Sequence, residues 1–329
     1  MLSQTVILTQ RQVARLLDAK TAIRVVREAF KAMARGETVM PPKVYLPLPG
    51  GSDFRAMPAF IRHPAACGIK WVNVHLGNRR RGLPTVMAVI VLNDPATGVP
   101  LAVMDGLLIT KLRTAAAAAV AAKTLARPES AVVGLVGCGG QADAQLEALA
   151  EVFRLTRVKV WGAFPGEAAR FCRRMRPRLP RVTLVSAATV ESCVRASDLV
   201  VTITPSRRPL VKRAWLSPGT HVNAVGADAP GKQELDWRIL REALVVVDHR
   251  AQAIHAGEIN VPIRQHQLRP SDIHATLGEI LLGRKRGRRS PRDITVFDST
   301  GLAIHDVALG AALVPLARRL PLARRLRFF

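Results

Sequence analysis

The chain has 329 residues, 49% of them apolar, but only nine Phe, four Trp and one Tyr, so its core volume must come from Leu, Val, Ile and Ala. Lys and Arg number 49 against 24 Asp and Glu, a formal net charge of +25, which permits loose contact with polyanions but says little about fold. Four Cys without a C-x-x-C spacing exclude a disulfide scaffold, and neither a leader pattern nor a long uncharged apolar run is present, so a cytoplasmic location without membrane contact is expected.

Residues 6–8 read as a strand. Thr9 then caps one expected helix, with Val13, Leu16, Leu17, Ile23, Val26 and Phe30 on its apolar side and Gly36 at its end. Between Pro41 and Gly98 the pattern changes to short β-rich runs at 44–46, 54–60, 68–74 and 85–93, bounded by Pro, Gly, Asn or Asp. Such punctuation predicts an antiparallel or mixed sheet built on one helix. The apolar stretches 86–92 and 99–104 offer surface for a second copy of the chain. Residues 112–125 form an Ala-rich helix suited to close packing.

Pro128 starts a different rhythm. Strands are expected at 131–136, 158–161, 182–184, 199–203, 221–225, 244–247 and 294–297, with helices at 141–153 and 167–175. This alternation predicts parallel β-α-β winding. The first domain therefore ends near residue 122, and an apolar helix at 302–313 could return to it. The basic tract 284–292 (RKRGRRSPR) reads as a solvated loop. The tail, which repeats PLARRL from Pro315 and Pro321, reads as a frayed extension, with a membrane-surface segment or a partner contact as alternatives.

The strongest local motif is Gly137-Cys138-Gly139-Gly140-Gln141-Ala142, a G-x-G-x-x-A between an expected strand and an expected helix. Gly137 allows a tight turn, Gly139 lets backbone approach a pyrophosphate, and Ala142 lets the helix pack closely on the sheet. Dinucleotide binding follows from that context, the alternative being a plain tight turn. After the next strand come Gly162, Ala163 and Phe164, with no carboxylate for ribose hydroxyls and no adjacent Arg for a 2′-phosphate, Arg170 being several residues into the helix. NAD is the expected cofactor, with NADP open.

Other candidates for chemistry lie outside this loop. Lys70, in a β-like run with apolar neighbours, is either a partly buried acid–base group or a surface lysine whose stem packs on the sheet. Arg55 and Arg113 are each a clamp for a carboxylate or an ordinary surface arginine. Asp228 follows an expected strand within Gly226-Ala227-Asp228-Ala229-Pro230-Gly231, where such folds place ligands, or it merely caps a turn. The eight His form no H-E-x-x-H cluster, and His255-x-x-Glu258 suits hydrogen bonding better than metal, so no metal is expected. No helix-turn-helix, zinc finger or stacking pattern accompanies the charge, which argues against a specific nucleic-acid partner.

Several segments together resemble the ornithine cyclodeaminase/mu-crystallin family. They are Met40-Pro41-Pro42-Lys43-Val44-Tyr45-Leu46, Asp53-Phe54-Arg55-Ala56-Met57-Pro58, Gly68-Ile69-Lys70-Trp71-Val72-Asn73 and Leu112-Arg113-Thr114. Gly82-Leu83-Pro84-Thr85, Asp105-Gly106, the glycine loop, residues 226–236, Gly257-Glu258-Ile259-Asn260 and Phe297-Asp298-Ser299-Thr300-Gly301 complete the match, leaving out only the basic tail.

The resemblance implies an α/β fold in which a Rossmann-type nucleotide-binding domain, residues 123–300, is inserted into an α+β substrate-binding and dimerisation domain, residues 1–122 with 301–329. It implies a homodimer paired through that first domain. It makes Lys70 the main catalytic group beside the substrate carbonyl or imine, gives Arg55, Arg113 and Lys43 the substrate carboxylate, and has Asp228 order water or the amino group. Thr114 and Gly137, Gly139, Gly140, Gln141 and Ala142 meet the cofactor phosphates, while Thr202, Thr204, Val225 and Ser299 line its remaining path.

The substrate class implied is a small amino acid or 2-oxo acid. Cyclodeaminases of this family commonly carry glutamate where this chain has Arg55, and Cys and Thr where it has Ala229 and Gln233. Those departures favour an alanine dehydrogenase reaction, with ornithine cyclodeamination, cyclic-imine reduction and non-catalytic binding as alternatives.

Overall fold

The computed structural model describes residues 4–319 and 323–328. Two compact units emerge, Met1–Arg113 with Leu302–Phe329, and Thr114–Gly301. The division falls inside the Ala-rich helix, between Arg113 and Thr114.

The first unit begins with β1 (Thr5–Leu8), α1 (Gln10–Leu16) and α2 (Ala19–Ala34). The single helix expected here is two. Asp18 turns extended, and its carboxylate accepts a hydrogen bond from the Thr21 N–H at 2.7 Å, so it caps α2 and separates it from α1. Then come β2 (Thr38–Val39), β3 (Val44–Pro47), β4 (Asp53–Ile61), β5 (Ala66–Val74), β6 (Val86–Asn93) and β7 (Pro100–Asp105). Helix α3 (Leu107–Leu125) starts earlier than its Ala run suggests, because the Asp105 carboxylate accepts from the N–H groups of Leu107 and Leu108.

After the second unit the chain returns as α11 (Ala303–Ala317) and β16 (Arg324–Leu326). The strand order is β16-β1-β7-β6-β5-β4-β2, with β3 also on β4. The sheet is mixed: β1 runs parallel to β7, and the remaining pairs are antiparallel. Helix α11 packs on α2 and across β4, β5 and β6. Strand alternation turns Met57, Ala59, Val72, Ala88, Ile90, Leu92 and Met104 into this core. The opposite face leaves Val44, Leu46, Trp71 and Val89 exposed, with Phe54 stacked on Trp71.

The tail is not a frayed extension at residues 324–326, which pair antiparallel with β1 as an edge strand. Pro315 sits in the last turn of α11. Residues 320–322 and 329 of that tail lie outside the described residues.

The second unit is β8 (Val132–Val136), α4 (Ala142–Val152), β9 (Arg157–Trp161), α5 (Glu167–Met175), β10 (Thr183–Ser186), α6 (Val190–Val194) and β11 (Leu199–Thr202), followed by β12 (His221–Ala224), α7 (Trp237–Glu242), β13 (Leu244–Val247), α8 (Arg250–Ala256), α9 (Asn260–Arg264), β14 (Ile273–Thr276), α10 (Leu277–Leu281) and β15 (Thr295–Asp298). All eight strands are parallel, in the order β10-β9-β8-β11-β12-β15-β13-β14. Both faces are covered, so the strands read as continuous apolar runs.

Part of the basic tract is not a solvated loop. Arg288 is half-buried and donates to the carbonyls of Leu125 and Gly219 and to the Thr295 hydroxyl. It clasps the end of α3 to this sheet. No helix among the described residues is long and apolar enough to cross a membrane.

Candidate active site

In the first unit, β4 and β5 pair with Met57 opposite Lys70 and Arg55 opposite Val72, while Tyr45 of β3 lies opposite Arg55. Side chains directly opposite share a face, so Tyr45, Arg55 and Lys70 all project toward the side covered by helices. Lys70 is 1% exposed. It survives there because α11, in its first turn, brings in a carboxylate. The Nζ of Lys70 donates to Asp306 Oδ2 at 2.7 Å, and Arg113 Nε donates to Oδ1 of the same group at 3.3 Å. Asp306 is fully buried between the two cations.

Burial and the nearby Arg113 charge pull the Lys70 ammonium down to about 7, against the opposing pull of Asp306; the Lys43 charge adds to the lowering. Asp306 is held below the usual carboxylate range, since the attraction of Lys70 and Arg113 outweighs desolvation. The adjoining His305 is driven down to about 3 by burial, then by Arg113, and stays neutral. Its ring stands edge-on to Phe30 at 4.4 Å between centroids.

Arg55 is itself oriented: Nε and a terminal nitrogen reach the two Asp53 oxygens at 2.8 and 3.0 Å, and its guanidinium lies 5.2 Å from the Tyr45 ring. Two cations, Lys70 and Arg113, thus flank one buried carboxylate, and Arg55 stands on the same face of the sheet. Together they can hold an anionic group and exchange a proton near neutral pH.

No motif marks Asp306 in the sequence; the signal for it is a single acid in the apolar helix Ala-Ile-His-Asp-Val-Ala-Leu. A charge at such a position needs a partner. The partner, Lys70, lies 236 positions away in the chain.

In the second unit, parallel register aligns the carboxyl ends of β8, β11, β12 and β15 at Val136, Thr202, Ala224 and Asp298. Gly137, Thr202, Thr204, Val225 and Ser299 therefore share one edge of the sheet. From β8 the chain winds outward through β9 and β10 on one side and then crosses back to β11 on the other, and ligands bind at such a switch point.

The glycine loop is shaped for close approach. Gly137 has φ +109°, and a Cβ there would lie 2.8 Å from the Ile203 carbonyl oxygen. Gly139 and Gly140 are exposed, and a Cβ on either would meet nothing within 4 Å. Gln141 Oε1 is buried without a hydrogen-bond partner among the described residues. Ala142 is fully buried against the sheet. An open backbone cradle at the start of α4 suits a pyrophosphate. Thr114, on α3, is buried.

Four buried carboxylates pin the loops at this edge. Glu234 accepts from the N–H groups of Thr204 and Gly226, Glu258 from Glu234 and Leu235, Asp298 from Glu258 and Ile259, and Asp248 from Thr300 and Gly301. Burial raises Glu234 to about 7 and Asp298 to about 8, and raises Glu258 well above its ordinary value. Glu258 does not share a helical face with His255, because α8 ends at Ala256. Asp228, on the next loop, is partly exposed and ion-paired with Lys232.

Comparison with known proteins identifies the family. The sequence model of the ornithine cyclodeaminase/mu-crystallin family matches residues 3–314. The chain is 48% identical to alanine dehydrogenase of Archaeoglobus fulgidus over 326 residues, covering 99% of both. A solved archaeal alanine dehydrogenase dimer with bound NAD superposes with a TM-score of 0.94 at 47% identity, covering 99% of this chain and all of the other. The Δ1-pyrroline-2-carboxylate reductase of Thermococcus litoralis, solved with NADH and L-proline, also gives 0.94, at 32% identity over 98% of this chain and 100% of its own. The chain belongs to the ornithine cyclodeaminase/mu-crystallin family.

Proposed function

We propose that the chain is an NAD-dependent alanine dehydrogenase, converting L-alanine, NAD and water to pyruvate, ammonia and NADH. The observation that carries this reading is the buried Lys70–Asp306–Arg113 cluster, with its lysine near neutrality, in a chain whose glycine loop offers a nucleotide cradle. Bound NAD supplies the acceptor for the hydride leaving Cα.

Arg113, with Arg55 and Lys43, binds the substrate carboxylate and so fixes Cα, a gain in orientation rather than covalent catalysis. Neutral Lys70 takes up a proton and, once charged, polarises the imine toward attack by water. Asp306 keeps Nζ of Lys70 in place. Asp228 orders that water or stabilises the departing ammonium. The substrate name rests on the 48% identity to the archaeal alanine dehydrogenase, against 30% to a Bacillus cereus pyrroline-carboxylate reductase. The four cysteines are free thiols, which fits a cytoplasmic enzyme.

Assays with purified protein should show NADH formation from L-alanine and its consumption with pyruvate plus ammonia. Both rates should exceed proline formation from ornithine and reduction of cyclic imines. Faster turnover of ornithine or a cyclic imine would move the assignment to that reaction and keep the site.

The homodimer seen in the archaeal relative is the assembly proposed here, through the outer sheet face bearing Val44, Leu46, Trp71 and Val89. Alternate residues of the stretch 86–92, including Ile90 and Leu92, are already buried under helices, so only the outward set is available. Sedimentation at several concentrations should give a dimer. Replacing Trp71 and Val89 with Asp should give a monomer, whereas an unchanged dimer would place the contact elsewhere.

A further inference from the structure

Nucleotide-binding folds of this type usually hold the adenosine ribose with a carboxylate at the end of the second strand. Here the residue after β9 is Gly162. Its surroundings are unusual: a Cβ built on Gly162 would fall 2.6 Å from Cys138 Sγ, 2.9 Å from Glu167 Oε2 and 3.2 Å from Glu167 Cβ. The space that a side chain at 162 would enter is thus filled by the Glu167 side chain, reaching back from the first turn of α5. Cys138 lies within the glycine loop itself, next to the same space; burial, then the charge of Glu167, pushes its thiol up to about 12. Glu167 is only half-buried, so its carboxylate borders both the loop and solvent.

We infer that Glu167 is the ribose-binding carboxylate of this chain, supplied by α5 in place of the missing acid at position 162, and that it selects NAD over NADP. This rests on the NAD-dependent reading above. A carboxylate here accepts hydrogen bonds from the 2′- and 3′-hydroxyls of the adenosine ribose and repels a 2′-phosphate. Gly162 is part of the device, since any side chain there would displace Glu167 or Cys138. Arg170 approaches this turn, one of its terminal nitrogens lying 3.1 Å from where a Cβ on Gly166 would be. It is exposed and stands on the solvent side of the same helix start, so with Glu167 neutralised it becomes a ready partner for a phosphate.

The test is equilibrium titration of the full chain with NAD and with NADP, beside unfolding temperature without nucleotide. The parent should prefer NAD. Glu167→Gln should weaken NAD by about 10- to 100-fold, the loss expected when hydrogen bonds to a charged acceptor are removed, while NADP binding holds or tightens. Glu167→Ala should behave alike, and unchanged unfolding temperatures would show that both variants fold. Equal NAD affinity in parent and variants, or a parent that binds NADP as tightly as NAD, would overturn the inference. A parent that binds neither nucleotide would overturn it together with the proposed function. Since the readout is binding, a chain inactive on alanine that still shows this shift supports the inference while defeating the proposed reaction.

Discussion

Turnover of the Lys70→Ala chain should fall by about 10²- to 10⁴-fold, the range that a positioned acid–base group contributes, while its affinity for NAD stays within a factor of about three, less than half a tenfold step in free energy. The two effects separate because Lys70 stands on β5 in one unit and the glycine loop follows β8 in the other. The substitution also frees one Asp306 oxygen, but Arg113 remains on the other, so the carboxylate keeps a charged partner and the fold is retained. Steady-state kinetics beside nucleotide titration checks the pair of outcomes. Near-normal turnover with the best substrate would remove Lys70 from the mechanism and leave the cluster as a structural ion triad.

Asp306→Asn should have the largest effect on stability and a distinctive effect on pH dependence. Removing one member of a buried charged set costs about 3–5 kcal/mol, and here the lower end is expected, because a lysine already near 7 can lose its proton and shed the uncompensated charge. The sign of the second effect follows from the same groups. Burial and Arg113 lower Lys70 while Asp306 raises it, so losing the carboxylate lets the lysine fall further. In the deamination direction, where neutral Lys70 is required, the acidic limb of kcat/KM should move to lower pH. Urea unfolding measures the first effect and a pH–rate profile the second. A limb that stays in place while stability falls would reduce Asp306 to a structural role.

The sequence shows periodic features well and long-range pairings poorly. The βαβ rhythm after Pro128 and the glycine loop were legible because strands buried on both faces are continuous apolar runs and the turn at Gly137 demands its residue type. Lys70 was ambiguous by pattern alone, since the stem of a surface lysine and a buried lysine look the same in an alternating strand. What resolves it is Asp306, which only the folded chain brings near. Short elements were missed for other reasons. Ile273-His274-Ala275-Thr276 has too little apolar content to announce β14, and Arg324–Leu326 pairs through its backbone while its side chains face solvent. The break at Asp18 was hidden by apolar positions that keep helical spacing across it. Arg288 reads like its neighbours in a basic run, yet its guanidinium meets the carbonyls of Leu125 and Gly219.

The pairing of Arg324–Leu326 with β1 bears on how this chain can be handled. Strand β1, Thr-Val-Ile-Leu, has β7 on one side and β16 on the other. A version cut before Arg324 would uncover a row of unsatisfied backbone groups on a β-branched, apolar strand, the kind of edge that recruits further chains. Trimming the arginine-rich end to lower the charge would thus trade solubility for self-association. Replacing its outward arginines with glutamate, and keeping the backbone, is the safer route to a less basic protein.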